Sequence, residues 1–160
     1  MQIRLATMAD MEQMIPIINA AFSVEDFIDG TRTDPERLPP MFDTGDFLLM
    51  EEDGKLLASV YVEIRPGSEE ETPRGYFGML SVDPAQQGRG LGRRMVQAAE
   101  DFCRQHGCDV MDILVVNLRT ELPPIYRKLG YVEVGIEEFN PSKPLKPGYE
   151  AHCIVMSKSL

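Results

Sequence analysis

The stretch from Tyr76 to Glu100 constrains this chain more than any other. It opens with Tyr76-Phe77-Gly78-Met79-Leu80-Ser81-Val82, a strand by composition, and halts at Asp83-Pro84. Pro84 has no amide hydrogen and a fixed φ, so the strand ends there. The following turn, Ala85-Gln86-Gln87-Gly88-Arg89-Gly90-Leu91-Gly92, places glycine at three alternate positions. Glycine lets the main chain turn without a Cβ clash and come close to a ligand. A helix from Arg93-Arg94-Met95-Val96-Gln97-Ala98-Ala99-Glu100 then points its unpaired N–H groups and positive dipole end into that turn. Such a corner suits an anion, phosphate above all.

Two common phosphate-binding patterns do not fit. The nucleotide triphosphatase loop ends in Gly-Lys-Ser/Thr, whereas Gly92 is followed by Arg93 and Arg94. The dinucleotide fingerprint is G-x-G-x-x-G, whereas Gly88, Gly90 and Gly92 give G-x-G-x-G. The window closely resembles the Q/R-x-x-G-x-G/A motif of the GNAT acetyltransferases, read as Gln87-x-x-Gly90-x-Gly92. Further along, Tyr126-Arg127-Lys128-Leu129-Gly130-Tyr131 resembles the second signature of that superfamily, Y-x-K/R-x-G-F/Y. Two motifs at the expected separation are far more specific than either alone, and the resemblance covers essentially the whole chain. It implies one GNAT domain over residues 1–160, of the α/β class, with a central mixed twisted sheet flanked by helices on both faces.

The resemblance also implies a cofactor, acetyl-coenzyme A, and roles for particular residues. The turn amides would hold its pyrophosphate, which makes Gln87, Gly88, Arg89, Gly90, Leu91, Gly92 and Arg93 cofactor residues. Val82 would pair through its backbone with the pantetheine amides, as an added strand does, with Ser81 beside it. A bulge in the central strand would free the Leu80 amide to donate to the oxyanion of the thioester carbonyl. Tyr126 would stand beside the sulfur and protonate the departing thiolate, a role open to a tyrosine because it keeps its proton at neutral pH. Many relatives carry Asn seven residues before that tyrosine; here the place holds Arg119, with Asn117 two residues earlier. Asn117 and Arg119 are therefore also cofactor candidates, and Arg119 has acceptor carboxylate and Glu121 as further possible partners. The helical region after the first strand forms one wall of the acceptor pocket in the superfamily, which offers Glu25, Asp26, Phe27 and Arg32 as specificity residues. The attacking amine needs a base or a water relay. Glu63 and Asp112 are the base candidates, although Asp112, in Val110-Met111-Asp112-Ile113-Leu114, also reads as a paired structural aspartate.

Composition narrows the partners. A formal charge of −10 over 160 residues argues against nucleic acid, which needs a basic face. An anionic cofactor therefore requires local positive charge, which Arg89, Arg93 and Arg94 supply. The acidic balance fits a cationic acceptor such as an amine, and fits surface solubility equally. The three cysteines, Cys103, Cys108 and Cys153, form no C-x-x-C pair and read as reduced, buried thiols. His106 and His152 are too scattered for a metal site. No apolar run has bilayer length and the amino terminus lacks a signal-peptide core, so the expectation is a soluble, cytoplasmic protein.

The rest of the chain sorts into elements. Ile3 and Leu5 alternate with polar residues as a short strand does. Thr7 and Asp10 read as a capping box before a helix whose apolar face is Met11, Met14, Ile15, Ile18 and Phe22. Pro16 should kink or restart that helix. A second short helix is expected from Asp34-Pro35, ending before Pro39-Pro40. Strands over Asp46 to Met50 and Lys55 to Ile64 flank an Asp53-Gly54 hairpin turn. After the central helix, which stops at Gly107, come a strand from Val110 to Val116 and a short helix opened by Pro123-Pro124. Strands from Tyr131 to Val134 and Tyr149 to Ser157 close the chain.

These readings converge on an acetyl-coenzyme A-dependent N-acetyltransferase that transfers directly to a primary amine of a small molecule or peptide. No cysteine stands near a base in either motif, which disfavours a covalent acetyl-enzyme. The alternatives are a coenzyme A-binding regulatory or interaction module without transfer, and transfer of a longer acyl group or to a hydroxyl. A homodimer is implied only by analogy with relatives.

Overall fold

The computed structural model describes residues 1–160. The elements run β1 (Gln2–Leu5), α1 (Met11–Ala21), α2 (Met41–Thr44), β2 (Asp46–Glu52), β3 (Lys55–Arg65), β4 (Arg74–Val82), α3 (Leu91–Gln105), β5 (Val110–Val116), α4 (Leu122–Lys128), β6 (Val132–Glu138) and β7 (His152–Ser159), with 3₁₀ turns at Met8–Asp10 and Pro84–Gln86. All seven strands form one sheet in the order β1-β2-β3-β4-β5-β7-β6. Every neighbouring pair is antiparallel except β4 and β5, which are parallel. A tight turn joins the antiparallel β2 and β3, whereas the parallel pair β4 and β5 needs a crossover, here α3.

Each face of the sheet carries its own apolar core. On one, α3 presents Leu91, Met95, Val96, Ala99 and Cys103 to Val60, Val62, Phe77, Met111 and Ile113. On the other, Met14 and Ile18 of α1 pack with Leu38, Phe47, Leu49, Tyr61 and Met79. One charge lies inside the first core. Glu100 is 1% exposed, and it accepts hydrogen bonds from the Tyr131 hydroxyl at 2.8 Å and from Lys158 Nζ at 3.0 and 3.1 Å. A buried carboxylate persists only when paired in this way.

The punctuation residues act as their chemistry dictates. Asp53 and Gly54 both have positive φ (53° and 75°), as a tight hairpin turn requires. Gly107 and Gly130, at φ of 83° and 101°, end α3 and α4 in left-handed conformation. Thr7 N–H donates to Asp10 Oδ2 at 2.7 Å, and Arg4 clasps the same carboxylate through Nη1 and Nη2 at 2.9 and 2.8 Å.

Four expectations about elements change. Helix α1 runs through Pro16 without a restart. The helix expected at Asp34 is a single turn: Asp34 Oδ1 accepts from the Glu36 and Arg37 amides, Leu38 N–H reaches Asp34 O at 3.1 Å, and Pro39-Pro40 stop further growth. Strand β6 extends to Glu138 because its ladder with β7 continues through Ile136↔Ile154 to Glu138↔His152. Its acidic residues hid the strand, yet an edge strand facing water tolerates them and every residue of β6 is exposed. Finally, β7 begins at His152, since Tyr149 is held in a turn by its N–H to Lys146 O and packs its ring 6.2 Å from that of Phe27.

Candidate active site

The site begins where β4 and β5 part. They pair only at Gly75↔Met111 and Tyr76↔Asp112; beyond that rung no backbone ladder joins them. The gap opens a cleft of about 860 Å³, lined by Tyr76 to Leu80 on one strand, Ile113 to Val116 on the other, and Leu122 and Tyr126 of α4. That volume lies within the range of small-molecule sites. Parallel strands usually stay paired because helices cover both faces. Here an irregularity in β4 accompanies the departure. Its ladder with β3 skips from Ser59↔Ser81 to Tyr61↔Gly78, so Met79 and Leu80 oppose the single residue Val60. This is a β-bulge, and Met79 takes a left-handed φ of 49° to make it. Leu80 lies on the cleft wall at the bulge.

Past Val82, the turn has the geometry that the glycines predicted. Asp83 Oδ1 accepts from Ala85 N–H at 3.0 Å and starts the 3₁₀ turn with Pro84 at its head. Gly88 and Gly90 have φ of 83° and 72°, and a Cβ built on either would meet nothing within 4 Å. Backbone conformation, not crowding, therefore requires glycine at both, and the space over the turn is open to a ligand. Gly90 is the N-cap of α3, whose first amides face this space without a side-chain cap. Leu91 is itself a core residue and Ser81 is buried with its hydroxyl on Met79 O at 3.0 Å, so either acts at a ligand only through its main chain. Gln87 and Arg93 are exposed. Arg89 spends part of its charge on Gln86 at 2.6 Å and Glu52 at 3.2 Å. An open nest of amides at a helix start fits a pyrophosphate, and the unpaired flank of β4 fits an extended amide chain, so these residues suit coenzyme A.

Tyr126 sits inside the cleft. Its residue is 9% exposed, it packs against Phe77 and Tyr131, and its hydroxyl makes no hydrogen bond within the protein. Burial pushes that hydroxyl up to about 12, with Arg119 pulling weakly the other way. The group is therefore a proton holder with its donor unspent. Tyr76 resembles it: the ring lines the same cleft, the hydroxyl has no protein partner, and burial raises it against the pull of Arg65 and Arg32. Nothing local in the sequence marks Tyr76, since an aromatic at a strand start reads as core.

Arg119 lines the cleft with its guanidinium committed to two carboxylates. Nη1 donates to Glu25 Oε2 at 2.7 Å and Nε to Glu121 Oε1 at 2.5 Å. Burial disfavours its charge, but the two carboxylates outweigh that and hold the guanidinium protonated. Asn117 clamps the start of β7, with N–H to His152 O and Oδ1 accepting His152 N–H, both 2.9 Å. Its side-chain oxygen is thus committed to the fold.

Of the acceptor-wall residues, Glu25 and Arg32 line the cleft, Asp26 is exposed outside it, and Phe27 is a buried anchor against Tyr149. The two base candidates do not border the cleft. Glu63 accepts the Tyr61 hydroxyl at 2.9 Å and pairs with Arg65 at 3.5 Å. Asp112 is gripped by Arg74 through two bonds of 2.8 Å and by the Ser157 hydroxyl at 2.5 Å. Burial works against its charge, yet these partners hold its carboxyl below the usual range, the opposite of what a base near neutrality needs. Asp112 is a paired structural aspartate. Cys153 does border the cleft, and burial raises its thiol, which keeps it protonated and a poor nucleophile.

Comparison with known proteins gives the family and the fold. Over residues 11–131 the chain matches the acetyltransferase (GNAT) family. It is 32% identical over 105 residues to a mycothiol acetyltransferase of Cellulomonas flavigena, a match that takes in 61% of this chain and 30% of that protein. The fold superposes on a ribosomal-protein-alanine N-acetyltransferase from Brucella melitensis with a TM-score of 0.77 at 20% identity, covering 100% of both chains. It also superposes on YncA of Salmonella typhimurium, solved with its cofactor acetyl-CoA, with a TM-score of 0.74 at 21% identity over 100% of this chain and 94% of that one. The chain belongs to the GNAT family of acetyltransferases, enzymes that draw their acyl group from acetyl-coenzyme A.

Proposed function

We propose that this chain is an acetyl-coenzyme A-dependent N-acetyltransferase that passes the acetyl group directly to a primary amine of a small molecule or peptide. The observation that carries the reading is the shared cleft of Tyr126 and the Met79–Leu80 bulge, next to an open glycine turn. The bound cofactor would supply an activated thioester. The amides at Gly88 to Gly92 would grip its pyrophosphate, and Val82 would extend the β4 edge to its pantetheine arm. At the bulge, the Leu80 N–H would donate to the carbonyl oxygen as negative charge develops there. Tyr126 holds its proton at Oη and would give it to the departing sulfur. The amine would lose its own proton to water in the open cleft; Glu63 and Asp112 lie outside it. Direct transfer is favoured over an acetyl-cysteine step by the protonated, buried state of Cys153.

Release of free thiol from acetyl-coenzyme A in the presence of a panel of primary amines tests the reading. Amine-dependent release that falls in Tyr126→Phe supports it. Tight coenzyme A binding with no release across the panel would instead establish a binding module.

A further inference from the structure

The far end of the cleft has the wrong sign for so acidic a protein. A small side pocket of about 30 Å³ opens there, sharing Phe22, Glu25, Arg32 and Arg37 with the main cleft. Its charged lining is Arg32, Arg37, Lys143 and Glu25. Glu25 is paired with Arg119 at 2.7 Å, a guanidinium it shares with Glu121, and Arg37 is paired with Asp34 at 2.7 Å. Arg32 and Lys143 have no carboxylate partner at all. The Arg32 guanidinium instead lies 4.7 Å above the Phe22 ring, which fixes its plane while leaving its N–H fork unspent. Thus the pocket keeps two uncompensated cations in a chain of net charge −10.

The walls of this pocket are held in place. Residues 27–29 and 144–146 are laced together by Asp29 N–H to Pro144 O at 2.9 Å and Lys146 N–H to Phe27 O at 2.8 Å. Arg37 adds Nη1 to Ser142 Oγ and Nη2 to Thr31 O, both 2.7 Å. Two loops far apart in sequence therefore form one frame around the free guanidinium. Apart from Arg32, which the two spaces share, the charged groups without partners at the main cleft are the carboxylates of Glu36, Glu137 and Glu138. An amine is drawn to that side and an anion to the other.

We infer that the pocket around Arg32 and Lys143 is a carboxylate seat, so that the acceptor of the proposed transfer is an amine bearing a carboxylate. The choice of carboxylate rests on size. A pocket of about 30 Å³ takes roughly two waters' worth of atoms, close to a planar carboxylate. The fork of an arginine matches that group with two parallel hydrogen bonds.

The identity of the acceptor rests on the acetyltransferase reading; the seat does not, and the experiment separates them. Protein saturated with coenzyme A, so that the glycine turn is filled, is titrated with propionate and separately with inorganic phosphate. The readout is the arginine Nε–H NMR signal that Arg32→Gln removes. The seat requires a saturable shift with propionate, weakened several-fold in Lys143→Gln, with coenzyme A affinity unchanged in both variants. A silent Arg32 signal, or one that responds to phosphate alone, overturns it. In parallel, α-amino acids and their neutral amides are compared as acceptors. The acid form should exceed the amide roughly tenfold in kcat/KM, a preference lost in Arg32→Gln. Equal use of acid and amide would remove the seat while leaving transfer intact. A propionate response with no acceptor acetylated would keep the seat and remove the transfer reading.

Discussion

Arg119 and Glu25 meet at 2.7 Å across 94 residues of sequence, and the contact ties the segment after β5 to the loop that lines one end of the cleft. Both groups are largely withdrawn from solvent, with side-chain exposures of 16% and 8%. Screening is weak for such a pair, and removing one partner strands the other. Arg119→Met should therefore loosen the Glu25 loop and raise KM for the acceptor about tenfold, with KM for acetyl-coenzyme A unchanged. Steady-state kinetics with each substrate varied in turn checks this. A rise confined to the cofactor KM would place Arg119 at coenzyme A instead.

Gly90 has φ of 72° and forms the N-cap of α3 over open space. A side chain there is strained by the left-handed backbone, and a carboxylate would also repel an anionic ligand. Gly90→Asp should abolish coenzyme A binding measured by titration calorimetry. Gly90→Ala, which carries the strain without the charge, should weaken it less. Micromolar binding retained by the Asp variant would show that the pyrophosphate lies elsewhere.

Lys158 supplies both close ionic contacts to Glu100, whose other cation, Arg104, is 3.9 Å away. Glu100 is 1% exposed, so Lys158→Met leaves a carboxylate buried with one hydrogen bond from Tyr131. The expected loss is about 3 kcal/mol in urea unfolding at neutral pH. The double variant with Glu100→Gln should recover part of it, because the stranded charge is gone. No loss in Lys158→Met would mean that Arg104 closes in and compensates.

The glycine turn was legible because it acts through backbone. A turn that needs left-handed residues must spell glycine, as Gly88 and Gly90 do, and a strand ended by Pro84 fixes where the turn begins. The Met79–Leu80 bulge was expected from the resemblance alone; Met79 at φ 49° carries no residue-type signature. Long-range pairing stayed hidden for a different reason. Nothing local in Arg119 says that Glu25 waits 94 residues upstream, or in Asp112 that Arg74 and Ser157 will claim it. Tyr76 and Cys153 border the cleft because β4 and β5 separate, and that separation is a property of the sheet, not of either residue.

Asp10 is clasped by Arg4 and receives the Thr7 amide, and the Arg4 bond in particular holds its carboxyl down at about 2. In the unfolded chain it should titrate near about 3.9. The folded state thus prefers the charged form, and its stabilisation is whole above the unfolded value and drains away as pH falls toward about 2. The pair is partly exposed, with 33% and 17% side-chain exposure, so solvent screening limits the effect to about 1 kcal/mol. Asp10→Asn should be less stable than the parent by that amount at neutral pH, with the two curves converging in acid. Chemical unfolding followed from pH 7 downward checks it; a gap that persists below pH 2 would mean that the loss is steric.

Tyr126 ties the chemistry to pH. Burial lifts its hydroxyl to about 12, so the proton it would deliver stays in place throughout the neutral and mildly alkaline range. Loss of that donor in Tyr126→Phe should lower kcat by roughly a hundredfold, with little change in acetyl-coenzyme A affinity. The ring packing against Phe77 and Tyr131 is kept in this variant, so stability at neutral pH should be nearly unchanged. The parent enzyme should show no fall in kcat from tyrosine ionisation below about pH 11, whereas an ordinary tyrosine would already begin to lose its proton near about pH 10. Any earlier alkaline decline must belong to another group, and it should then survive in Tyr126→Phe. A turnover number unchanged by the substitution would take Tyr126 out of the mechanism and leave sulfur protonation to water.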